Sequence, residues 1–572
     1  MKMMKSVLII FLTLMSGVLL AQNQLIIPDT ISGTQFNLTL QNGTHQFLVG
    51  DITQTMGVNG NILGPTLIMN KGDEVNISIN NQLGDTTTIH WHGMHVAPEN
   101  DGGPHSIILP NAIWNPIFTV LDKAGTYWYH PHLHMRTNEH VSKGIAGFVL
   151  VRDSEEAALV LPRTYGVDDF PLAIQTKDFD SNNQVIVPSN NDDIVMVNAT
   201  IDANLDVPAQ VVRFRLLNGT SQRVLNIGLS NNTEFYQIGS DGGLLSSAIT
   251  LTRLELPPGA RVEILIDFNN MQGQTMELKS YASELPNGIY GASYPGHMTM
   301  MTLDGYEPNP INGADYNLMQ FTVIAQTANP VNTIPSNLVS VVPIPESEAV
   351  ITRSLTFTPE SMGSSQLNGL FHINGESFNM EVINYTIPLN NIEIWSIFNQ
   401  SAIAHPFHIH DVQFFVLDRN GVAPPLSEQG RKDVILIKHQ ETVRFIAKFD
   451  DFANTEIPYM YHCHMLVHED GGMMGQFLVV DSSNTNISNN LARENGIQIY
   501  PNPANEQDVF IKSENQISYY EIFNTSGLLI KKQEFNNLVY NAKIETKFLP
   551  AGVYILKINV DGIIFTDKLI NY

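Results

Sequence analysis

The sequence predicts an all-β protein, with three sandwich or Greek-key barrel domains in series and a smaller all-β unit behind them. Short β-type runs recur along the chain, among them VNISINN, VVRFRLLNG, VEILIDF and VRFIAKF, separated by Gly, Asn and Pro turns. Histidine pairs cluster near positions 90 and 130 and again near 408 and 462, whereas only His297 and His372 fall between 141 and 404. That is the footprint of a domain duplicated at both ends of a third. The chain of 572 residues has room for three or four domains of ~150 residues. Its 43% apolar and 15% charged residues suit a folded chain.

Taken in order, residues 1–21 read as a signal peptide. Lys2 and Lys5 form a basic start, Val7 to Leu20 is apolar, and Ala21 is a small residue before Gln22. The apolar stretch is short for a bilayer and no second one follows, so no membrane span is expected. The first domain covers 22–160, the second 161–335 and the third 336–482. A polar, Asn- and Ser-rich linker occupies 483–496, and 497–572 forms the tail unit, with strand patterns VFIKS, YYEIF and VYILKI and turns at NTSG, PAG and DG.

Lys plus Arg number 30 against 56 Asp plus Glu, a formal charge of −26. Such a chain repels polyanions, which excludes nucleic acid as a natural partner and leaves cations and neutral organics open. A single cysteine excludes an internal disulfide and a thiolate-only metal cluster.

The 18 histidines carry the chemistry. Random placement would give roughly half of one H-x-H pair. The sequence has five, at 90/92, 130/132, 132/134, 408/410 and 462/464. On a strand, residues two apart share a face, so each pair is expected to present two imidazoles to one site. The most specific segment is YHCHMLVHEDGGMM, Tyr461 to Met474. Extended backbone there turns Cys463 away from His462 and His464, so the thiolate serves one metal and its neighbours another. Cys463 with His405, His468 and Met473 is the donor set of a blue-copper electron-transfer centre. Structural zinc takes more cysteines or a compact Cys₂His₂ spacing. The eight remaining imidazoles exceed what one ion needs and suit three coppers shared between the first and third domains. Three such ions, together with the blue copper, can collect the four electrons that reduce dioxygen fully to water.

The blocks HWHG at 90–93, YHPH at 129–132, HPFHIH at 405–410 and HCHMLVHEDGGMM at 462–474 resemble the four copper signatures of the multicopper oxidases. RLLNGTSQRVLNIGL and IGSDGGLL extend the likeness to three-domain bacterial laccases and copper efflux oxidases, over about 24–482. The resemblance implies three cupredoxin-like Greek-key β-barrel domains, a small C-terminal β-sandwich, and four copper ions. It implies His405, Cys463, His468 and Met473 at the type 1 ion and His90 and His408 at type 2. His92, His130, His132, His410, His462 and His464 match the type 3 pair. Asp101 and Glu469 match acids that assist proton delivery to oxygen. YPNP near Tyr500, LPAGVYILKI and DGIIFTDKLI resemble the C-terminal sorting domain of the type IX secretion system, which implies a secretion-machinery partner. Export through the periplasm to a secreted or cell-surface location follows from leader and tail together.

Outside these blocks, His134 is expected to orient a ligand. His95, His105 and His140 are read as exposed polar residues more readily than as an access site for another metal. Trp91 fits an apolar wall, and Met298, Met300 and Met301 fit core filling. The resemblance places an exposed edge of His468 at the point of electron entry. The leading function is a laccase-like oxidase of phenols and other electron-rich organics, with O2 and a small-molecule reductant as partners. A cuprous or ferrous metallo-oxidase is the alternative. Against it stand Ile403 and Ser401 in the stretch where efflux relatives carry a Met and an Asp, and only Met362 and Met380 between 350 and 404. A copper buffer, an electron carrier or a copper nitrite reductase would leave the eight-histidine cluster without a use.

Overall fold

The structure is a computed structural model that describes residues 22–296, 309–360, 367, 369–481, 497–504, 507–524, 528–535, 537–561 and 563–571. The leader 1–21, Met298, Met300, Met301, Met362 and the linker 483–496 lie outside the described residues.

The chain is all-β, and the body ending at Val479 contains six sheets in three pairs. The first pair comprises a five-stranded sheet built on Thr66–Asn70, Gly125–His130, Gly147–Arg152 and His90–His92, facing a sheet built on Gln35–His45, Thr53–Val58 and Glu74–Gln82. Between them lies a core of Phe36, Ile77, Trp91, Tyr129 and Val149. The alternation EVNISINNQ fits this position, because Val75, Ile77 and Ile79 face the core while their neighbours are less buried. The second pair includes Asp169–Lys177, Val211–Asn218 and Arg261–Asp267 in one sheet and Ala203–Pro208 and Thr275–Tyr281 in the other. Asn23–Gln24 pairs in parallel with Ala203–Asn204, so the first strand of the chain extends a sheet of the middle sandwich.

Val211–Asn218 is buried throughout, including Arg213 and Arg215. Those two arginines pair with Glu263 and Asp169, and the Arg215 guanidinium also donates to Thr126 Oγ1 of the first sandwich. Buried charges persist only when paired in this way.

The third pair combines Ile351–Pro359, Asn391–Asn399 and Thr442–Phe449 with His405–Ile409, Tyr459–Cys463 and Met474–Val480. The duplication read from the histidines is visible in its packing. Tyr129 lies opposite Gly147, and Tyr461 lies opposite Gly475. A Cβ on either glycine would fall 2.2–2.3 Å from the facing tyrosine oxygen or ring, so only glycine lets each ring lie flat. In both copies the residue after the tyrosine is a candidate ligand.

The tail, described by itself, has a three-stranded sheet (Gln498–Tyr500, Val509–Lys512, Asn541–Ile544) and a four-stranded one (Ile517–Phe523, Leu529–Glu534, Gly552–Val560, Ile563–Asn571). Val509, Ile511, Ile522, Leu556 and Ile558 fill its core. Among the described residues no helix is long and apolar enough to cross a membrane.

Candidate metal centres

Strand register gathers the candidate ligands. His90–His92 runs antiparallel to Gly125–His130, with His90 opposite His130. His405–Ile409 runs antiparallel to Tyr459–Cys463, with His408 opposite His462 and Phe407 opposite Cys463. His132, His410 and His464 follow just beyond the strand ends. Ring centroids within each H-x-H pair are 5.1–6.2 Å apart. That separation divides the rings of a pair between neighbouring groups, whereas the shared-face expectation gave both to one site.

The groups are two triads and a pair. Nε2 of His132 lies 3.1 Å from Nε2 of His462 and 3.2 Å from Nε2 of His410. Nδ1 of His92 lies 3.3 Å from Nε2 of both His130 and His464. His90 and His408 face each other with ring centroids 5.9 Å apart. Each triad therefore draws on both the first and the third sandwich. All eight rings are buried.

The second nitrogen of most rings is tied outward. Nδ1 donates to a backbone carbonyl from His90 (Asp101, 2.9 Å), His408 (Asp433, 2.8 Å), His130 (Pro131, 2.8 Å) and His462 (Cys463, 3.0 Å). His410 Nδ1 donates to Asp101 Oδ2 at 2.7 Å, and His92 Nε2 donates to Asp433 Oδ1 at 3.1 Å. These bonds fix the tautomers and aim the lone pairs inward. Nε2 of His90 and of His408 has no hydrogen-bond partner among the described residues. Burial, and then the neighbouring rings, pushes the pKa of His92, His130, His132, His408 and His462 well down. His410 falls to about 4 and His464 to about 3. Neutral, convergent imidazoles with orphaned nitrogens are what a bound cation requires, and imidazole suits copper.

The second candidate centre lies in the core of the third sandwich. Cys463 Sγ is 3.5 Å from His405 Nδ1 and 3.7 Å from His468 Nδ1, and the two nitrogens are 3.2 Å apart. His405 Nε2 bonds Ser401 Oγ at 2.8 Å, whose other contacts are Asn399 Oδ1 and Ile403 O. His468 Nε2 donates to Leu367 O at 2.9 Å. Both rings thus keep Nδ1 free toward the sulfur. Met473 is buried in the same core, and its carbonyl accepts the Cys463 N–H at 3.1 Å. Burial raises the thiol pKa, so a cation is needed to hold the thiolate there. One soft sulfur, two imidazoles and a thioether fit copper.

His468 is 1% exposed, which corrects the expectation of an exposed ring edge. Phe371 covers it at a centroid distance of 4.5 Å, and the Leu367 carbonyl occupies its outer nitrogen.

Asp101 and Glu469 both reach the histidine cluster. Burial pushes the Asp101 carboxyl up, but His410 and His90 outweigh that and hold it well below the usual carboxylate range. Glu469 lies 3.4 Å from His132 Nδ1 and 3.3 Å from His462 Nδ1, and burial followed by Asp470 raises its pKa far above normal. Asp470 accepts the amides of Thr137 and Asn138, both at 3.0 Å, and so holds Glu469 against the first sandwich.

Among the described residues, His134, His95, His105 and His140 lie apart from these two centres. His134 packs edge-on against Phe378 at 5.1 Å and, among the described residues, makes no hydrogen bond to a candidate ligand. His95 is largely buried, bonded to Asp411 at 2.8 Å. Burial opposes its charge, but Asp411 and Asp122 overcome it and lift the pKa to about 10. His105 bonds Gln476, and buried His140 bonds Thr87. His105 is exposed, as expected, whereas the burial of His140 and the partial burial of His95 replace that expectation. Trp91 is buried beside Phe118 and Tyr129, in an apolar wall.

Sequence reasoning passed over Asp433, Arg261, Trp128 and Asp470, and met Ser401 only as a departure from a pattern. Trp128 stacks on His130 at 4.1 Å; its place one residue before Tyr129 and His130 was the available cue. Asp433 and Arg261 lie in ordinary strand-edge sequence with no spacing to mark them.

Two family profiles described as multicopper oxidase match residues 16–156 and 345–483, and one described as a secretion system C-terminal sorting domain matches 498–571. A multicopper oxidase of Staphylococcus haemolyticus is 32% identical over 479 residues, covering 80% of this chain and 93% of the relative. The structure of a laccase-like multicopper oxidase from Ochrobactrum sp. superposes with a TM-score of 0.70 at 32% identity, covering 80% of this chain and 100% of that one. A multicopper oxidase from Campylobacter jejuni superposes with a TM-score of 0.65 at 27% identity, covering 80% and 96%.

Proposed function

The chain belongs to the multicopper oxidase family, and from that premise we propose a laccase-like enzyme. It takes electrons singly from phenolic or other electron-rich organic molecules and reduces O2 to water. In this reading four coppers bind per chain. His405, Cys463, His468 and Met473 hold the type 1 ion, and His90 and His408 the type 2 ion. His92, His130, His132, His410, His462 and His464 hold the type 3 pair. Bound copper supplies the one-electron chemistry and, as a cluster, the four-electron reduction of dioxygen.

The residues themselves supply connection, protons and access. The backbone at 462–464 joins the two centres by a few covalent bonds, because Cys463 faces one and its neighbours the other. Glu469, kept protonated by burial beside His132 and His462, holds a proton at the cluster. Asp101 stays ionised against His410 and His90 and receives protons on their way in.

The observation that carries the reading is the grouping of eight buried imidazoles into two triads and a pair beside a separate Cys-His-His group. An electron carrier needs only the latter. Phe371 over His468, with Leu370 43% exposed beside it in sequence, gives organic donors an apolar approach. The Ochrobactrum relative carries the description of oxidase activity towards lignin model compounds and lignosulfonate.

Two observations favour a metal-ion donor as a second reading. His468 offers no open ring nitrogen, and the chain carries −26 net charge to attract cations. The Campylobacter relative is described as a metallo-oxidase.

The tail supports export through a type IX secretion system to the surface or medium. Oxygen uptake by copper-loaded protein, measured with a phenol, ferrous ion and cuprous ion in turn, tests the function. Turnover with the phenol supports the laccase reading, turnover with the metals alone replaces it by the second, and no uptake with any donor removes the oxidase assignment.

A further inference from the structure

Two aspartates hold the histidine cluster from opposite sides, and they do so by the same device. Asp101, in the first sandwich, accepts His90 Nδ1–H on its carbonyl and His410 Nδ1–H on its carboxylate. Asp433, in the third, accepts His408 Nδ1–H on its carbonyl and His92 Nε2–H on its carboxylate. Each therefore takes a histidine of its own sandwich with its main chain and one of the other sandwich with its side chain. The rings so paired stack alike, His90 on His410 at 3.8 Å and 17°, His92 on His408 at 3.8 Å and 9°.

The symmetry is broken by the middle sandwich. Arg261 grips Asp433 with both terminal nitrogens, Nη1 to Oδ1 at 2.5 Å and Nη2 to Oδ2 at 2.6 Å. Its remaining donors are used on the carbonyls of Thr126, Gly259 and Asp241. Asp241, also of the middle sandwich, accepts the Arg261 amide at 2.7 Å and Lys432 Nζ at 2.8 Å, beside Asp433 in the chain. The whole assembly is buried. Asp101 has no such clamp, and its Oδ1 has no hydrogen-bond partner among the described residues.

The space is cut to fit. A Cβ on Gly93, next to His92, would lie 2.3 Å from Arg261 Nη2 and 2.4 Å from Asp433 Oδ2. A Cβ on Gly259, two residues before Arg261, would lie 2.8 Å from three atoms of the His464 ring.

We infer that the ligand-free middle domain is a working part of the copper cluster. Through Arg261 it fixes Asp433 as a positioning residue that sets the tautomer of His92 and the orientation of His408. Asp433 is thereby committed to orientation. His92 is the one ring of the eight that turns Nδ1 inward in a close triad, and the Asp433 carboxylate on its Nε2–H is what demands that choice. A bidentate guanidinium–carboxylate pair, unlike an ammonium, fixes a plane as well as a charge.

The inference rests on the copper assignment above, and its test separates the two. Copper per chain, blue absorption and cluster affinity under chelator competition are measured for wild type, Arg261→Gln and Arg261→Lys. The expected result is an unchanged blue centre and a cluster affinity about 10–100-fold weaker in Arg261→Gln, with partial recovery in Arg261→Lys. Wild-type protein that fails to bind four coppers defeats the copper assignment. Wild-type protein with four coppers and variants of undiminished cluster affinity defeat the role of Arg261 alone. If the variants do not fold, nitrogen NMR of histidine-labelled, cuprous-loaded wild type decides: a proton on His92 Nε2 and on His408 Nδ1 upholds the inference, and a proton on His92 Nδ1 overturns it.

Discussion

His92 and His408 stack face to face, ring centroids 3.8 Å apart and planes 9° from parallel, although they come from the first and third sandwiches. Both are buried and neutral, and both are held by Asp433, one through its carboxylate and one through its carbonyl. A contact of this kind places two metal-facing nitrogens across a domain boundary without any covalent link between the domains.

Cys463→Ser removes the thiol sulfur that faces both His405 Nδ1 and His468 Nδ1. The expected outcome is loss of the blue absorption, one copper fewer per chain, and O2 uptake with a phenolic donor lowered by at least about 100-fold. Undiminished uptake would show that electrons enter elsewhere.

Ser401→Ala deletes the hydroxyl that bonds His405 Nε2 at 2.8 Å. The ring loses the contact that holds its tautomer, and copper affinity at the Cys463 centre is expected to fall about 10–100-fold while the histidine cluster keeps its ions. Copper titration followed at the blue band measures this, and an unchanged titration curve would argue against any orienting role.

Glu469→Gln keeps the size of the side chain and, since burial holds Glu469 protonated, keeps its charge as well. Copper content and the blue band should stay at wild-type values. Turnover should drop by about 10²-fold, the usual range for a lost proton donor, with a flattened pH profile. Wild-type turnover at every pH would remove Glu469 from proton delivery.

The copper-free protein should be acid-labile. His410 and His468 titrate at about 4 and His464 at about 3 when folded, and six further rings are also shifted down. Below an unfolded value of about 6.5 the unfolded chain binds more protons at these sites, so each costs about 1.4 kcal/mol per pH unit as pH falls toward its folded value. Asp122, Asp411 and Asp470, raised to about 6 by burial, act in the opposite sense between about 6 and 4 but are fewer. Thermal melts of apo protein from pH 7 to 4 should fall in midpoint, and the slope should shrink on copper loading. A flat profile would contradict the neutral-cluster description.

The architecture was legible because strand alternation and the doubled histidine blocks are local, periodic signals. The segment around Cys463 was legible for the same reason: extended backbone dictates that a cysteine between two histidines faces away from them. How the rings are shared out came from the likeness of the four motifs and not from strand spacing. His132, His410 and His464 lie beyond strand ends, where a period of two no longer governs, and the division of each H-x-H pair follows from the docking of two domains. The burial of His468 was missed because its cover, the Leu367 carbonyl and Phe371, comes from an element remote in sequence. Arg261 and Asp433 carry no pattern at all, since their partnership exists only where the middle sandwich meets the third.

The alternation of ligands between the two ends of the body makes metal capture and domain assembly one equilibrium. No ribosome-bound fragment lacking residues 405–464 holds either triad, so the cluster becomes possible only when the third sandwich is nearly complete. By mass action, an ion bound at the seam resists separation of the sandwiches. Withdrawing it should first be felt as protease sensitivity in the connections between them, well before any one sandwich melts.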